Sequence, residues 1–127
     1  MRLLLDTHIV LWCLQGKSEL PAKAFELIND AEEVYVSAAS FWEMAIKVPL
    51  GKLKLDIKLQ EFPKVLSESG YETLAIKVEH AVQVAGLPPF HRDPFDRMLI
   101  AQSIMEPLQF VTHDAMLTEY ADSIILV

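Results

Sequence analysis

The chain has 127 residues, 52% of them hydrophobic, with 11 basic against 18 acidic side chains for a formal charge of −7. That length implies one domain, residues 1–127, able to bury roughly two-thirds of its unfolded surface, and the apolar content excludes a disordered chain. The acidity excludes a protein that grips nucleic acid through a broad basic surface; it leaves room for a nucleic-acid enzyme whose acidic site is neutralised by metal ions. Cys13 is the only cysteine, so an intrachain disulfide is excluded, a reducing, cytoplasmic setting fits, and Cys13 itself reads as core. No stretch approaches the ~18 apolar residues of a membrane span, and the opening apolar run is too short for a signal peptide because Asp6 ends it.

Leu3-Leu4-Leu5 reads as a buried first strand. Asp6 follows, and Val10, Leu11 and Leu14 recur at helical spacing. Pro21 opens a second helix with Ala22, Phe25, Leu27 and Ile28 inward. Asn29 to Glu33 is turn-like, and Val34-Tyr35-Val36 is a strand. Ser37 then caps a helix whose Ala38, Trp42 and Ile46 form an i, i+4, i+8 core stripe; Pro49 and Gly51 stop it. Lys52 to Leu55 reads as a loop or a short extended piece. Ile57 to Glu68 reads as a helix, Tyr71 to Ile76 as a third strand, and Lys77 to Ala85 as a helix with Val78, Ala81, Val82 and Ala85 inward. After Pro88 and Pro89, Asp93-Pro94 supplies a cap and first helical residue for a helix apolar nearly all round, and therefore central. Leu108 to Val111 is a fourth strand, Ala115 to Tyr120 a short helix, and Ile124 to Val127 a last strand. Strands alternating with helices imply an α/β fold with a parallel sheet and helices on both faces.

Two strands end alike: Leu5 runs into Asp6-Thr7, and Val111 into Thr112-His113-Asp114. In such a sheet both ends fall on the edge where ligands bind. If the two strands are neighbours, Asp6 and Asp114 face each other, and paired carboxylates call for a proton or a cation between them. A hard cation with oxygen ligands answers this, and Mg²⁺ suits a site with few carboxylates and several waters. Each acid also has a structural explanation. Asp6 suits a helix N-cap. Asp96 suits the first turn of its helix, where the dipole favours a carboxylate, and stands four residues from Arg92. Glu43 matches a capping box with Ser40 and an i, i+4 pair with Lys47. Asp93 is explained by its cap before Pro94. His8, His80, His91 and His113 lack zinc spacing, and His113 suits a supporting contact better than a ligand role. Arg92 and Arg97 flank Asp96 and are candidates for phosphate contact. Trp12, Phe25 and Phe41 are candidates for partner contact.

Four stretches carry a family resemblance: Leu4-Leu5-Asp6-Thr7, residues 36–43 (Val-Ser-Ala-Ala-Ser-Phe-Trp-Glu), residues 93–102 (Asp-Pro-Phe-Asp-Arg-Met-Leu-Ile-Ala-Gln) and Val111-Thr112-His113-Asp114. In this order, across nearly the whole chain, they resemble PIN-domain proteins and, within them, the VapC-type ribonuclease toxins of toxin–antitoxin pairs. The resemblance implies a three-layer α/β/α sandwich with a mostly parallel five-stranded sheet. It aligns Asp6, Glu43, Asp96 and Asp114 with the family's acidic quartet, Thr7 and Thr112 with its supporting hydroxyls, and Asp93 with an extra acid of one branch. It further implies Mg²⁺ or Mn²⁺, RNA cleavage, a homodimer, and an antitoxin that inserts a segment at the site.

The function expected is metal-dependent hydrolysis of RNA phosphodiester bonds. A receiver-like module with an acidic Mg²⁺ pocket fits less well: Asp6 lacks an acidic neighbour, and no Asp follows the third strand. A phosphatase of the haloacid dehalogenase type wants a second Asp two residues after the first, where His8 stands. A PIN-like binding module without catalysis is the remaining alternative, and the complete quartet speaks against it.

Overall fold

A computed structural model describes residues 1–127. Its strands are β1 (Arg2–Leu5), β2 (Glu33–Ser37), β3 (Glu72–Leu74), β4 (Gln109–Thr112) and β5 (Ile124–Leu126). They form one sheet in the order β3-β2-β1-β4-β5, and every adjacent pair is parallel. The helices are α1 (Thr7–Leu14), α2 (Ala22–Asp30), α3 (Ala38–Lys47), α4 (Phe62–Glu68), α5 (Val78–Ala85) and α6 (Pro94–Met105), with 3₁₀ turns at Leu59–Glu61 and Ala115–Tyr120.

β1 is central because Leu3, Leu4 and Leu5 are all fully buried, which only a strand covered on both faces permits. Leu3 and Leu5 pack with Ile9 and Val10 of α1, Met44 of α3, and Phe62 and Leu66 of α4. Leu4 faces the other way, onto Leu99, Ile100 and Ala101 of α6 with Phe110, Leu117 and Ile124. The chain leaves β1 toward β2 on one side, and β4 lies on the other. The carboxyl ends of β1 and β4 therefore flank the switch point, where open α/β sheets bind ligands. Leu5 pairs with Val111, and the Asp6 N–H continues the ladder to the Val111 carbonyl at 2.9 Å.

Three helices present a different face from the one their apolar periodicity suggests. In α3, Ala38, Trp42 (58% exposed) and Ile46 (40%) point outward, and Ala39, Ser40, Glu43 and Met44 are buried. In α5, Val78 (77%) and Val82 (68%) are exposed, with Ala81 and Ala85, whereas His80 is fully buried. Its ring is satisfied by the Lys77 N–H and Glu106, and lies beside Gln102, which accepts from Ser37 and donates to the Ala75 carbonyl. The hydrogen-bonded His80 is thus what α5 buries deepest, with Val84 packed against the core beside it. In α2, Ala24 is buried and Leu27 and Ile28 half-buried, while Ala22 and Phe25 are exposed.

Other elements are shorter than expected. The helix foreseen from Ile57 begins at Phe62, with Pro63 in its first turn, where proline lacks no needed N–H. The short helix after β4 spans Ala115–Tyr120 as expected and is 3₁₀ in form. The α6 helix keeps a buried face of Leu99 to Ser103 but exposes Ile104 and Met105. Cys13 is half-buried and shares a hydrogen bond of 2.9 Å with the Tyr71 hydroxyl.

The inverted face of α3 is open to measurement. Met44→Ala costs about 2–5 kcal/mol, as for other buried large-to-small changes, whereas Ile46→Ala stays within about 0.5 kcal/mol. Urea unfolding followed by circular dichroism checks the pair.

Candidate active site

Four acids reach the switch point from four elements. Asp6 ends β1 and caps α1: its Oδ1 accepts the Thr7 N–H at 2.7 Å. Its Oδ2 accepts the Thr112 hydroxyl at 2.7 Å. That same hydroxyl oxygen accepts the Asp114 N–H at 3.1 Å, so one side chain at the end of β4 ties the two acids to one frame. Asp114 caps the following 3₁₀ turn through the Met116 N–H. Asp93 caps α6, accepting the Phe95 and Asp96 N–H groups at 2.8 and 3.3 Å, and thereby sets Asp96 in the first turn. Capping and cleft-lining are compatible: the bonds that end a strand or begin a helix also fix each carboxylate.

Glu43 arrives on the buried face of α3 and is only 3% exposed. The capping-box explanation does not hold, because the N-cap of α3 is Ser37, whose hydroxyl accepts the Ala39 N–H. Ser40 lies inside the helix, and its hydroxyl shares a 2.9 Å bond with that of Thr7. The Thr7 hydroxyl thus joins α1 to α3, and only the Thr7 N–H touches an acid. The pairing with Lys47 is present at 2.5 Å to Oε2, yet Glu43 Oε1 is buried without any hydrogen-bond partner. An unpartnered, desolvated carboxylate oxygen is costly unless something charged or protic meets it.

Asp6, Glu43, Asp93, Asp96 and Asp114 line one cleft of about 440 Å³ together with His8, Trp12, Lys47, His113 and Ala115. The Asp96 carboxyl is pushed up to about 8, first by burial and then by the charges of Asp6, Asp93, Glu43 and Asp114. Asp6 is raised too, by burial, against the pull of its bonds from Thr112 and Thr7. The donor set is oxygen-rich, crowded with negative charge and holds an orphaned oxygen. It fits a divalent cation.

The two arginines do not line the cleft. Arg97 donates to the Val84, Leu87, Pro88 and His91 carbonyls and to the Tyr120 hydroxyl, over 2.8–3.5 Å. Its guanidinium is committed to holding the loop between α5 and α6, which corrects its reading as a phosphate contact. Arg92 is exposed. The basic group at the cleft is Lys47, which sequence reasoning took only as a pairing partner for Glu43. His91 is the other residue missed. Its Nε2 lies 3.4 Å from Asp114 and 3.8 Å from Asp96; histidine spacing gave no sign of this, since the approach is made by folding of the loop. His113 lines the cleft wall beside Trp12.

The PIN domain family model matches residues 3–123. The chain belongs to the PIN-domain family. Within it, Ribonuclease VapC22 of Mycobacterium tuberculosis is 30% identical over 118 residues, spanning 92% of this chain and 90% of that protein. The PIN fold recurs in VapBC2 from Rickettsia felis, solved bound to a promoter DNA fragment, with a TM-score of 0.67 at 17% identity over 100% of this chain and 98% of that one. A toxin–antitoxin complex from Klebsiella pneumoniae gives 0.65 at 14% identity, over 96% and 94%. The expected α/β sandwich with a five-stranded sheet is thus present, and the sheet is parallel throughout.

Two outcomes follow from this PIN site. Folded Asp96 keeps its proton to about 8, against 3.8 ordinarily. Unfolding in that window releases a proton, so stability is fullest below it and falls as pH rises through it. In cation-free buffer, calorimetry shows the melting temperature dropping between about pH 5 and pH 8. Asp96→Asn flattens this drop, and Mg²⁺ raises the melting temperature more at the upper pH. Separately, Arg97→Leu lowers unfolding free energy by about 1.5–3 kcal/mol, the range for a hydrogen bond to a charged group, whereas Arg92→Leu leaves it within about 0.5 kcal/mol.

Proposed function

We propose that this PIN-domain chain is an endoribonuclease of the VapC type, the toxin of a toxin–antitoxin pair, dependent on Mg²⁺ or Mn²⁺. The observation that carries the reading is the convergence of Asp6, Glu43, Asp96 and Asp114 on one cleft, with a buried carboxylate oxygen left unpartnered. The named ribonuclease relative supports RNA as substrate.

Asp6, Asp96 and Asp114 are the residues to hold the cation, directly or through water, with Glu43 completing the set. The chemistry such a cation supplies is acidification of water to a nucleophile near neutral pH and neutralisation of charge building on the phosphate. Glu43 would complete the cation's shell or orient a water beside it through Oε1, while Lys47 restrains Oε2. Thr112 keeps Asp6 and Asp114 in mutual register through one hydroxyl. Asp93 acts on Asp96 by starting its helix, and Lys47 with Arg92 are the cations left for substrate phosphate. The net charge of −7 is consistent with a substrate met locally through cations rather than over a broad basic surface.

The residues 1–127 act as one nuclease domain. No helix is long and apolar enough to cross a membrane. The ribonuclease relative supports a cytoplasmic protein working on RNA. The likeness to a toxin–antitoxin complex supports an antitoxin partner. The outward Trp42, Val78 and Val82 supply apolar surface for a homodimer.

An RNA cleavage assay with the wild-type chain is expected to show activity that EDTA abolishes and added Mg²⁺ or Mn²⁺ restores. Asp6→Asn and Asp96→Asn each lower the rate by about 100-fold or more, the scale of losing one electrostatic stabiliser, with circular dichroism unchanged. Persistent cleavage in Asp96→Asn, or none in the metal-supplied wild type, overturns the assignment in favour of a binding module.

A further inference from the structure

His91 stands at the edge of the acidic cluster, and its Nε2, Asp96 and Asp114 offer three atoms within 4.8 Å of one another. Proximity alone makes the imidazole a candidate ligand. The other ring nitrogen decides otherwise. His91 Nδ1 faces the Asp93 backbone N–H at 3.0 Å and accepts it. A neutral imidazole with Nδ1 as acceptor carries its proton on Nε2. A protonated nitrogen has no lone pair for a metal, and moving the proton to Nδ1 sets two donors against each other.

We propose that His91 is a positioning residue of this site, directing Nε2–H at the Asp114 and Asp96 carboxylates and leaving the cation to oxygen ligands alone. Its Nε2 lies 3.4 Å from Asp114 Oδ2 and 3.8 Å from Asp96 Oδ2, close enough for its N–H to attract both oxygens electrostatically. The mount is built for that purpose. The His91 N–H donates to the Tyr120 hydroxyl at 2.8 Å, and the same hydroxyl is held by Arg97 at 3.2 Å. Arg97 also holds the His91 carbonyl. The arginine that flanks Asp96 in sequence therefore acts on the site through His91. Groups that orient metal-binding carboxylates in this way typically contribute 10–100-fold to affinity.

This inference rests on the divalent-cation reading above, and the experiment separates the two. On the full chain, ¹⁵N NMR of the His91 ring is expected to show Nε2 protonated and Nδ1 bare, both before and after saturation with Mg²⁺. Calorimetric titration with Mn²⁺ is expected to give an affinity about 10-fold or more weaker for His91→Ala. His91→Gln, whose amide N–H can take the place of Nε2–H, recovers most of it. A proton found on Nδ1 in the Mg²⁺ form makes His91 a ligand and overturns the proposal. So does a His91→Ala affinity equal to wild type. A wild-type chain that takes up neither ion overturns the cation reading as well; if His91→Ala fails to fold, the wild-type NMR result decides alone.

Discussion

The structure is governed by the need to hold several carboxylates close together in a half-buried cleft. Like charges at short range and low dielectric repel, and Asp96 shows the result in a proton affinity raised by burial and by its acidic neighbours. A flexible chain would relieve this by moving the acids apart. Here each is attached to a rigid element: Asp6 to the end of the central strand, Glu43 to the buried face of α3, Asp96 to the first turn of α6, Asp114 to the turn after β4. The apolar core on both faces of β1 is what keeps those attachments from yielding.

Helix starts also favour this arrangement. Asp6 and Ser37 cap α1 and α3 at the carboxyl ends of β1 and β2, and Asp93 caps α6 at the end of the α5–α6 loop. The amino ends of helices carry partial positive charge and unpaired N–H groups. They offset part of the repulsion before any cation arrives. The capping bonds also remove freedom from the carboxylates, so that Asp6 has one oxygen on Thr7 and the other on Thr112. The acidic cleft and the helix geometry are consequences of the same hydrogen bonds.

The buried polar faces of α3 and α5 belong to this economy. The α3 helix spends its inward face on Ser40 and Glu43 as well as Met44, and its aromatic Trp42 goes outside against Phe95. The α5 helix turns in His80, satisfied by Lys77 and Glu106, and leaves Val78 and Val82 exposed. Both leave apolar side chains exposed, surface available to the assembly proposed for this family member.

Much was readable in the sequence because it depends on local chemistry. The short apolar run stopped by Asp6, the strand at Val34-Tyr35-Val36, and the Asp93-Pro94 helix start are properties of a few adjacent residues, and each lies where those residues require. The two Asp-terminated strands could be set on one edge by the rule for parallel sheets, with β1 and β4 adjacent as that reading needed. Periodicity did worse on α2, α3 and α5. A helix carrying apolar groups on two sides does not say which side faces the sheet, and only packing decided that Glu43 and His80 go in while Trp42 and Val78 stay out. Tertiary structure alone likewise drew Arg97 away to backbone carbonyls and brought His91 beside Asp96 and Asp114. Those contacts join segments whose separation in space is set by the fold, and no spacing along the chain encodes them.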